Sequence, residues 1–206
     1  MIPAPGISGA VHRDETGAKM GMWLFLLTEL VLFGGLFLAY SAYRSRSPDA
    51  FHRASSELDL GLGVANTVVL LTSSLTMALS VSAVRRGKKR HSVSFLACTI
   101  GLGCIFLLDK YMEWRAKIHH GIFPGSRALM QREPGERLFF GLYYTMTGLH
   151  GLHVLVGVCV LSVMLWLVAS DRIRRDGVIK LENSGLYWHL VDIIWIFLLP
   201  LFYLAA

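Results

Sequence analysis

The sequence predicts an all-α, polytopic membrane protein, a bundle of five transmembrane helices. Three observations carry that prediction. The 206-residue chain is 54% hydrophobic and only 17% charged, against roughly 45–50% apolar and about 25% charged in ordinary soluble domains. The apolar excess is gathered into five blocks, each near the roughly 20 residues a helix needs to cross a hydrocarbon core. No block shows the period-two alternation of a barrel strand, and a helix satisfies its own backbone N–H and C=O groups where lipid offers none.

In chain order the expected spans are Gly21–Ala42, Leu60–Val84, Val93–Met112, Leu138–Ala169 and Leu186–Ala205. The fourth is longer than a perpendicular crossing requires, which predicts tilt or a start outside the hydrocarbon. Residues 1–20 have neither the apolar run nor the cleavage signature of a signal peptide. They read as a polar cytoplasmic arm leading into a membrane domain over 21–206. Cys98, Cys104 and Cys159 lie within spans and form no CxxC pair, so they are expected as small buried apolar residues. The formal net charge of +6 calls for no nucleic-acid partner, because the basic residues sit at span ends.

Five spans put the termini on opposite sides. On the N-terminal side lies the short loop Arg85, Arg86, Gly87, Lys88, Lys89, Arg90, with Arg172, Arg174, Arg175 and Lys180 of the last loop. The opposite side carries Arg44, Arg46, Arg53, Arg127 and Arg132 diluted among Asp49, Glu57, Asp59, Glu133 and Glu136. Short, densely basic loops stay in the cytoplasm. The expected orientation is therefore N-terminus cytoplasmic and C-terminus outside.

Ionisable side chains inside a span are costly, which makes each a functional candidate. They are Glu29 in the first span, Asp109, Lys110 and Glu113 in the third, His150 and His153 in the fourth, and His189 and Asp192 in the fifth. By depth, Glu29, His150, His153, His189 and Asp192 fall in the cytoplasmic half, and the third-span group lies near the other surface. His150 and His153 are three apart, as are His189 and Asp192, so each pair shares a helix face. One polar cluster joining the first, fourth and fifth spans is the economical expectation. Gly148, Gly151 and Gly157 would permit the close backbone approach it needs. The residues alone leave its role open between interhelical packing, proton handling and ligation of a metal or b-type haem. No inverted repeat or pair of broken spans points to a transporter.

Three segments within these spans are recognisable. Thr28–Phe37 (TELVLFGGLF) resembles the glutamate-bearing helix of haem–copper oxidase subunit III. Thr147–Val154 (TGLHGLHV) resembles the TGxHGLHV segment of the same family, and Tyr187–Phe197 (YWHLVDIIWIF) its closing YWHxVDxxWxF helix. Asn66-Thr67 and Tyr111-Met112-Glu113-Trp114 are fainter echoes. The resemblance runs from about Gly21 to the C-terminus, and five spans match the shorter members; seven-helix members carry two more at the N-terminus.

The resemblance implies a core, non-redox subunit of a bacterial terminal oxidase in the cytoplasmic (inner) membrane. Its partners would be subunit I, which holds the haems and copper and reduces dioxygen to water, and subunit II. It implies no catalytic residue and no metal in this chain, with bound phospholipid as its one non-protein ligand, although the lipid-holding cleft of longer members uses the two helices absent here. The implied role is to sustain proton uptake and to protect the catalytic centre during turnover. Glu29 matches the family's buried, carbodiimide-reactive glutamate. Glu29, His150, His153, His189 and Asp192 stand as the proton-related cluster, and Glu113, Trp188 and Trp195 as lipid or subunit-interface candidates. The expected donor is cytochrome c; a quinol oxidase, an accessory subunit of nitric oxide reductase and, more remotely, a free-standing b-type cytochrome are the alternatives.

Overall fold

The computed structural model describes residues 7–173 and 177–204. Seven helices run through them: α1 (Ile7–Arg46), α2 (Pro48–Ser55), α3 (Leu60–Arg85), α4 (Lys89–His119), α5 (Arg127–Met130), α6 (Pro134–Ala169) and α7 (Val178–Tyr203). Five of them, α1, α3, α4, α6 and α7, are long and apolar enough to cross a membrane. Each expected span lies on one of these, and the helices overrun the expected limits: α1 already begins at Ile7, and α4 continues to His119. At 36 residues, α6 is about 54 Å long, well beyond a hydrocarbon core of about 30 Å. Ala205, the expected end of the last span, lies outside the described residues, as do Arg174 and Arg175.

The helix ends follow from local chemistry. Asp59 caps α3 by accepting from the Leu62 N–H at 3.2 Å, and Pro48 and Pro134 open α2 and α6, where no amide is needed. Gly87 (φ 72°) and Gly121 (φ 71°) end α3 and α4 in the left-handed conformation. Behind each, the next amide reaches back to the last turn: Lys88 N–H to Ala83 O at 2.8 Å and Ile122 N–H to Lys117 O at 2.9 Å. Asp171 (φ 58°) holds the same position after α6.

Helices α3, α4, α6 and α7 close a ring in which each packs on the next, and α1 lies outside it on α6 and α7. The largest buried side chains fill the ring: Trp188, Trp195, Tyr143, Phe106 and Phe139. Large apolar residues point outward as well, such as Leu24, Leu27 and Leu38 of α1, as suits a surface solvated by lipid. Cys98, Cys104 and Cys159 belong to this outer surface, which corrects their expected burial; the inner positions of α4 and α6 are given to side chains that interlock with α3 and α7.

Ion pairs fasten the loops at both ends. At one end Lys89 Nζ meets Asp171 Oδ2 at 2.5 Å and Arg85 meets Glu182 at 2.8 Å, tying the α3–α4 turn to the α6–α7 connection and the start of α7. At the other, Arg53 pairs with Glu133 and, at 3.2 Å, with Glu136, while Arg132 reaches Glu57 at 2.5 Å. The hydrogen bond that Arg53 donates to Glu136 and the charge of Glu133 raise the Arg53 pKa further, and Glu57 does the same for Arg132. These contacts lock α2 and the α4–α6 connection together. Neither α2 nor α5 is among the expected elements, because both are too short to register as spans.

Candidate functional site

The polar side chains inside the spans form separate groups. In the first, α1 brings Glu29 against α6: His153 Nε2 stands 2.9 Å from Glu29 Oε2, with the side chains 15% and 14% exposed. This is ion-pair distance without the alignment of a formed hydrogen bond. His153 Nδ1 lies 2.8 Å from the Leu149 carbonyl, which can only accept, so Nδ1 carries a proton. A bare carboxylate facing a bare Nε2 would set two lone pairs against each other. A proton on either group would turn this approach into a hydrogen bond. Tyr187 of α7 donates to the His153 carbonyl at 2.9 Å and Phe33 lies edge-on to the ring at 5.5 Å, closing the site from two sides.

His150 does not join this pair. It is fully buried, and its ring lies against Phe106 of α4 at 5.4 Å and Trp195 of α7 at 5.3 Å, with neither nitrogen hydrogen-bonded. His189 turns to α3, its Nδ1 2.5 Å from Ser74 Oγ. Asp192, 2% exposed, makes no formed hydrogen bond, and Ser74 is the polar group facing it. The single cluster expected from depth and spacing is thus divided between an α1–α6 contact and an α3–α7 contact, with His150 between them. The expected backbone approach at the glycines is likewise corrected. A Cβ at Gly148 would strike the Trp114 ring at 2.9 Å and one at Gly157 the Trp188 ring at 2.8 Å, while Gly151 has nothing within 4 Å. The small residues receive indole rings.

The third group is the most densely connected. Lys110 Nζ donates to Glu113 Oε2 at 2.7 Å and to the Tyr203 hydroxyl at 2.5 Å. Tyr143 donates to Glu113 Oε1 at 2.6 Å, and Tyr203 donates to the same carboxylate at 2.9 Å. The ammonium also lies 4.6 Å from the Trp195 ring centroid, a cation–π contact that offsets part of its desolvation. Glu113 opens on a cavity of about 350 Å³ whose lining includes Glu57, Asp59 and Lys117. Sequence reading places Lys110 and Glu113 in the span but misses Tyr143 and Tyr203. Their hydroxyls near span ends carry no signal until the fold brings them together.

Trp188 and Trp195 are wholly buried, their indole N–H groups donating at 3.0 Å to Ser73 and Thr67 of α3. Glu113 is also enclosed, at 7% exposure. Trp188 and Trp195 thus lie inside the ring, and Glu113 stands at its edge on the cavity.

Comparison with known proteins agrees with this architecture. The family described as "Cytochrome c oxidase subunit III" matches residues 7–206. The chain is 31% identical to cytochrome c oxidase subunit 3 of Synechocystis sp., over 97% of this chain and 81% of that protein. It is 26% identical to cytochrome bo(3) ubiquinol oxidase subunit 3 of Pseudomonas aeruginosa, over 95% and 89%. A third relative, heme-copper oxidase subunit I+III of Aeropyrum pernix, is 29% identical over 91% of this chain and 22% of its own length. With a family match across nearly its whole length and five apolar helices to span a membrane, this chain belongs to the cytochrome c oxidase subunit III family.

Proposed function

We propose that the chain is the non-redox third subunit of a bacterial, cytochrome c-oxidising haem–copper oxidase, supporting proton uptake and protecting the catalytic subunit during turnover. The Glu29–His153 contact carries this reading. It is a membrane-embedded acid–base pair formed by two of the three segments that resemble the family. The same geometry supports a chain without its own haem. His153 is engaged at both nitrogens, His189 faces Ser74, and His150 is walled by aromatic rings. Subunit I and subunit II are the proposed partners, and the Aeropyrum relative joins subunits I and III in one printed name. The basic α3–α4 turn supports a cytoplasmic N-terminus in the bacterial inner membrane. The Pseudomonas relative favours quinol as the second reading for the donor.

The test is to isolate the full chain with its partners in mild detergent. A large haem-bearing subunit should accompany it at equal stoichiometry, and the complex should consume oxygen with reduced cytochrome c. Complex stripped of this chain should begin at a comparable rate and lose activity over fewer turnovers. Oxygen uptake with quinol alone would move the chain to the quinol branch. A haem Soret band on the isolated chain would sink the reading.

A further inference from the structure

Two phenols and one carboxylate meet at the α4–α6–α7 contact. Tyr143 donates to Glu113 Oε1 at 2.6 Å, Tyr203 donates to the same carboxylate at 2.9 Å, and the two hydroxyls lie 3.5 Å apart. The other enclosed tyrosines are held differently: Tyr40, Tyr144 and Tyr187 each donate to a backbone carbonyl. The difference is chemical. A phenol that gives up an electron becomes a strong acid, and it settles as a neutral radical only when its proton is taken. A carbonyl does not take it, whereas a carboxylate at hydrogen-bond distance does. Glu113 in turn opens on the cavity of about 350 Å³ lined by Asp59, Lys117 and His120. A proton received there has a way out, and the Lys110–Glu113 pair keeps its charge balance.

Oxidisable rings flank the two phenols. Tyr143 lies 5.4 Å from Tyr144 between centroids, and Tyr144 lies 5.1 Å from Trp114, which is half-buried on α4. On the other side Tyr203 lies 6.4 Å from Trp195. There the Lys110 ammonium, 4.6 Å from the Trp195 centroid, opposes a cation radical on the indole by like-charge repulsion. An oxidising equivalent in this stack therefore comes to rest on Tyr143 or Tyr203.

We propose that Tyr143 and Tyr203 form a one-electron donor site for radicals of the peroxyl class, with Glu113 as the proton acceptor and Trp114 as the outer electron contact. An electron leaves one phenol along the Tyr144–Trp114 stack and reduces a peroxyl radical to its anion. The phenolic O–H bond breaks as Glu113 takes the proton. Glu113 releases that proton at the cavity, and the peroxide anion is protonated to the hydroperoxide. One phenol and one peroxyl radical thus give one phenoxyl radical and one hydroperoxide. The reaction stands outside the electron path to dioxygen. It deepens the protective role proposed above, and it fails separately from that role, which is read as the turnovers a complex survives.

Electron paramagnetic resonance makes the site measurable. The full chain in detergent is oxidised by tris(bipyridine)ruthenium(III), formed by a laser flash in the presence of a cobalt(III) acceptor, and frozen at set times. A persistent neutral tyrosyl signal should appear in the parent, and it should form more slowly in D2O. Tyr143→Phe combined with Tyr203→Phe should abolish it, whereas Tyr40→Phe, which removes a phenol bound to a carbonyl, should leave it unchanged. Glu113→Gln removes the proton acceptor and should slow its formation by at least about 100-fold. That variant strands the Lys110 ammonium, so Lys110→Met with Glu113→Gln, which leaves no ion unpaired, serves beside it and should be equally slow. No persistent signal in the parent, a signal that survives loss of both phenols, or an unchanged rate in the Lys110/Glu113 double variant would each overturn the proposal.

Discussion

His153 keeps Nδ1 on the Leu149 carbonyl at 2.8 Å while its Nε2 stands 2.9 Å from Glu29 Oε2, so one acid–base contact joins α1 to α6. Glu29→Gln supplies an amide N–H that can face Nε2, and assembly of the oxidase should survive it. Glu29→Ala leaves the ring nitrogen unsatisfied at a cost of about 1–3 kcal/mol and should lower the yield of assembled complex. A hydrophobic carbodiimide should modify Glu29 in the parent and find nothing there in the Gln variant, with haem spectra normal in both. Peptide mapping decides the outcome. Rapid modification elsewhere with Glu29 untouched would mean that the acid is ionised, shielded or misplaced.

Gly101 and Gly103 lie on one helix with opposite surroundings. A Cβ at Gly103 would meet the Trp188 ring at 2.8 Å and Val158 at 3.0 Å, whereas nothing lies within 4 Å of one at Gly101. Gly103→Ala should cost about 1–3 kcal/mol through overpacking of a fully buried indole. Gly101→Ala should be neutral or slightly stabilising, because alanine favours the helix. Thermal unfolding of the full chain in detergent compares the two, and equal midpoints would show that Trp188 can yield.

The spans were legible because lipid demands uniform apolar length, which a sequence displays directly. The grouping of polar residues was less so. His150 and His153 are three positions apart, which turns the helix by about 300° and leaves them about 60° apart on its surface. On α6, enclosed by α1, α4 and α7, that offset gives His153 to Glu29 and His150 to Phe106 and Trp195. Trp188 and Trp195, expected at a lipid or subunit interface, lie wholly buried instead. The glycines that accept Trp188, Gly103 and Gly157, lie on two other helices, and only the tertiary structure pairs them. Helix α2, opened by Pro48, has only eight residues, too few for a periodicity to stand out.

The basic turn after α3 makes a topological claim that a reporter can check. Five of the six residues 85–90 are basic, and the turn shares its end of the bundle with the α6–α7 connection through Lys89 and Asp171. Fusion after Arg90 should place a reporter in the cytoplasm, and fusion after Ala206 should export it. Alkaline phosphatase, active only when exported, should be silent at the first site and active at the second. The reverse pattern would invert the orientation while leaving the bundle itself unaffected.

The Lys110–Glu113 pair tests whether a charge pair inside the ring is coupled or merely adjacent. Both side chains are nearly excluded from solvent, at 9% and 5% exposure, where each ion alone would carry a large desolvation penalty. The carboxylate is held by Lys110, Tyr143 and Tyr203, and the ammonium also leans on Trp195. Lys110→Met keeps the length of the side chain but leaves Glu113 with two phenols and no countercharge, at a cost of about 3–5 kcal/mol. Glu113→Gln strands the ammonium and should cost a similar amount. Tyr143→Phe removes one hydrogen bond to a charged acceptor and should cost about 1.5–3 kcal/mol. Replacing both charges, Lys110→Met with Glu113→Gln, removes the unpaired ion along with the pair. The double variant should therefore lose less stability than the two single variants added together, by at least about 1 kcal/mol. Unfolding of all four proteins in one detergent closes the cycle. If the single losses simply add, Lys110 and Glu113 act independently, and each reaches Tyr203 of α7 without help from the other.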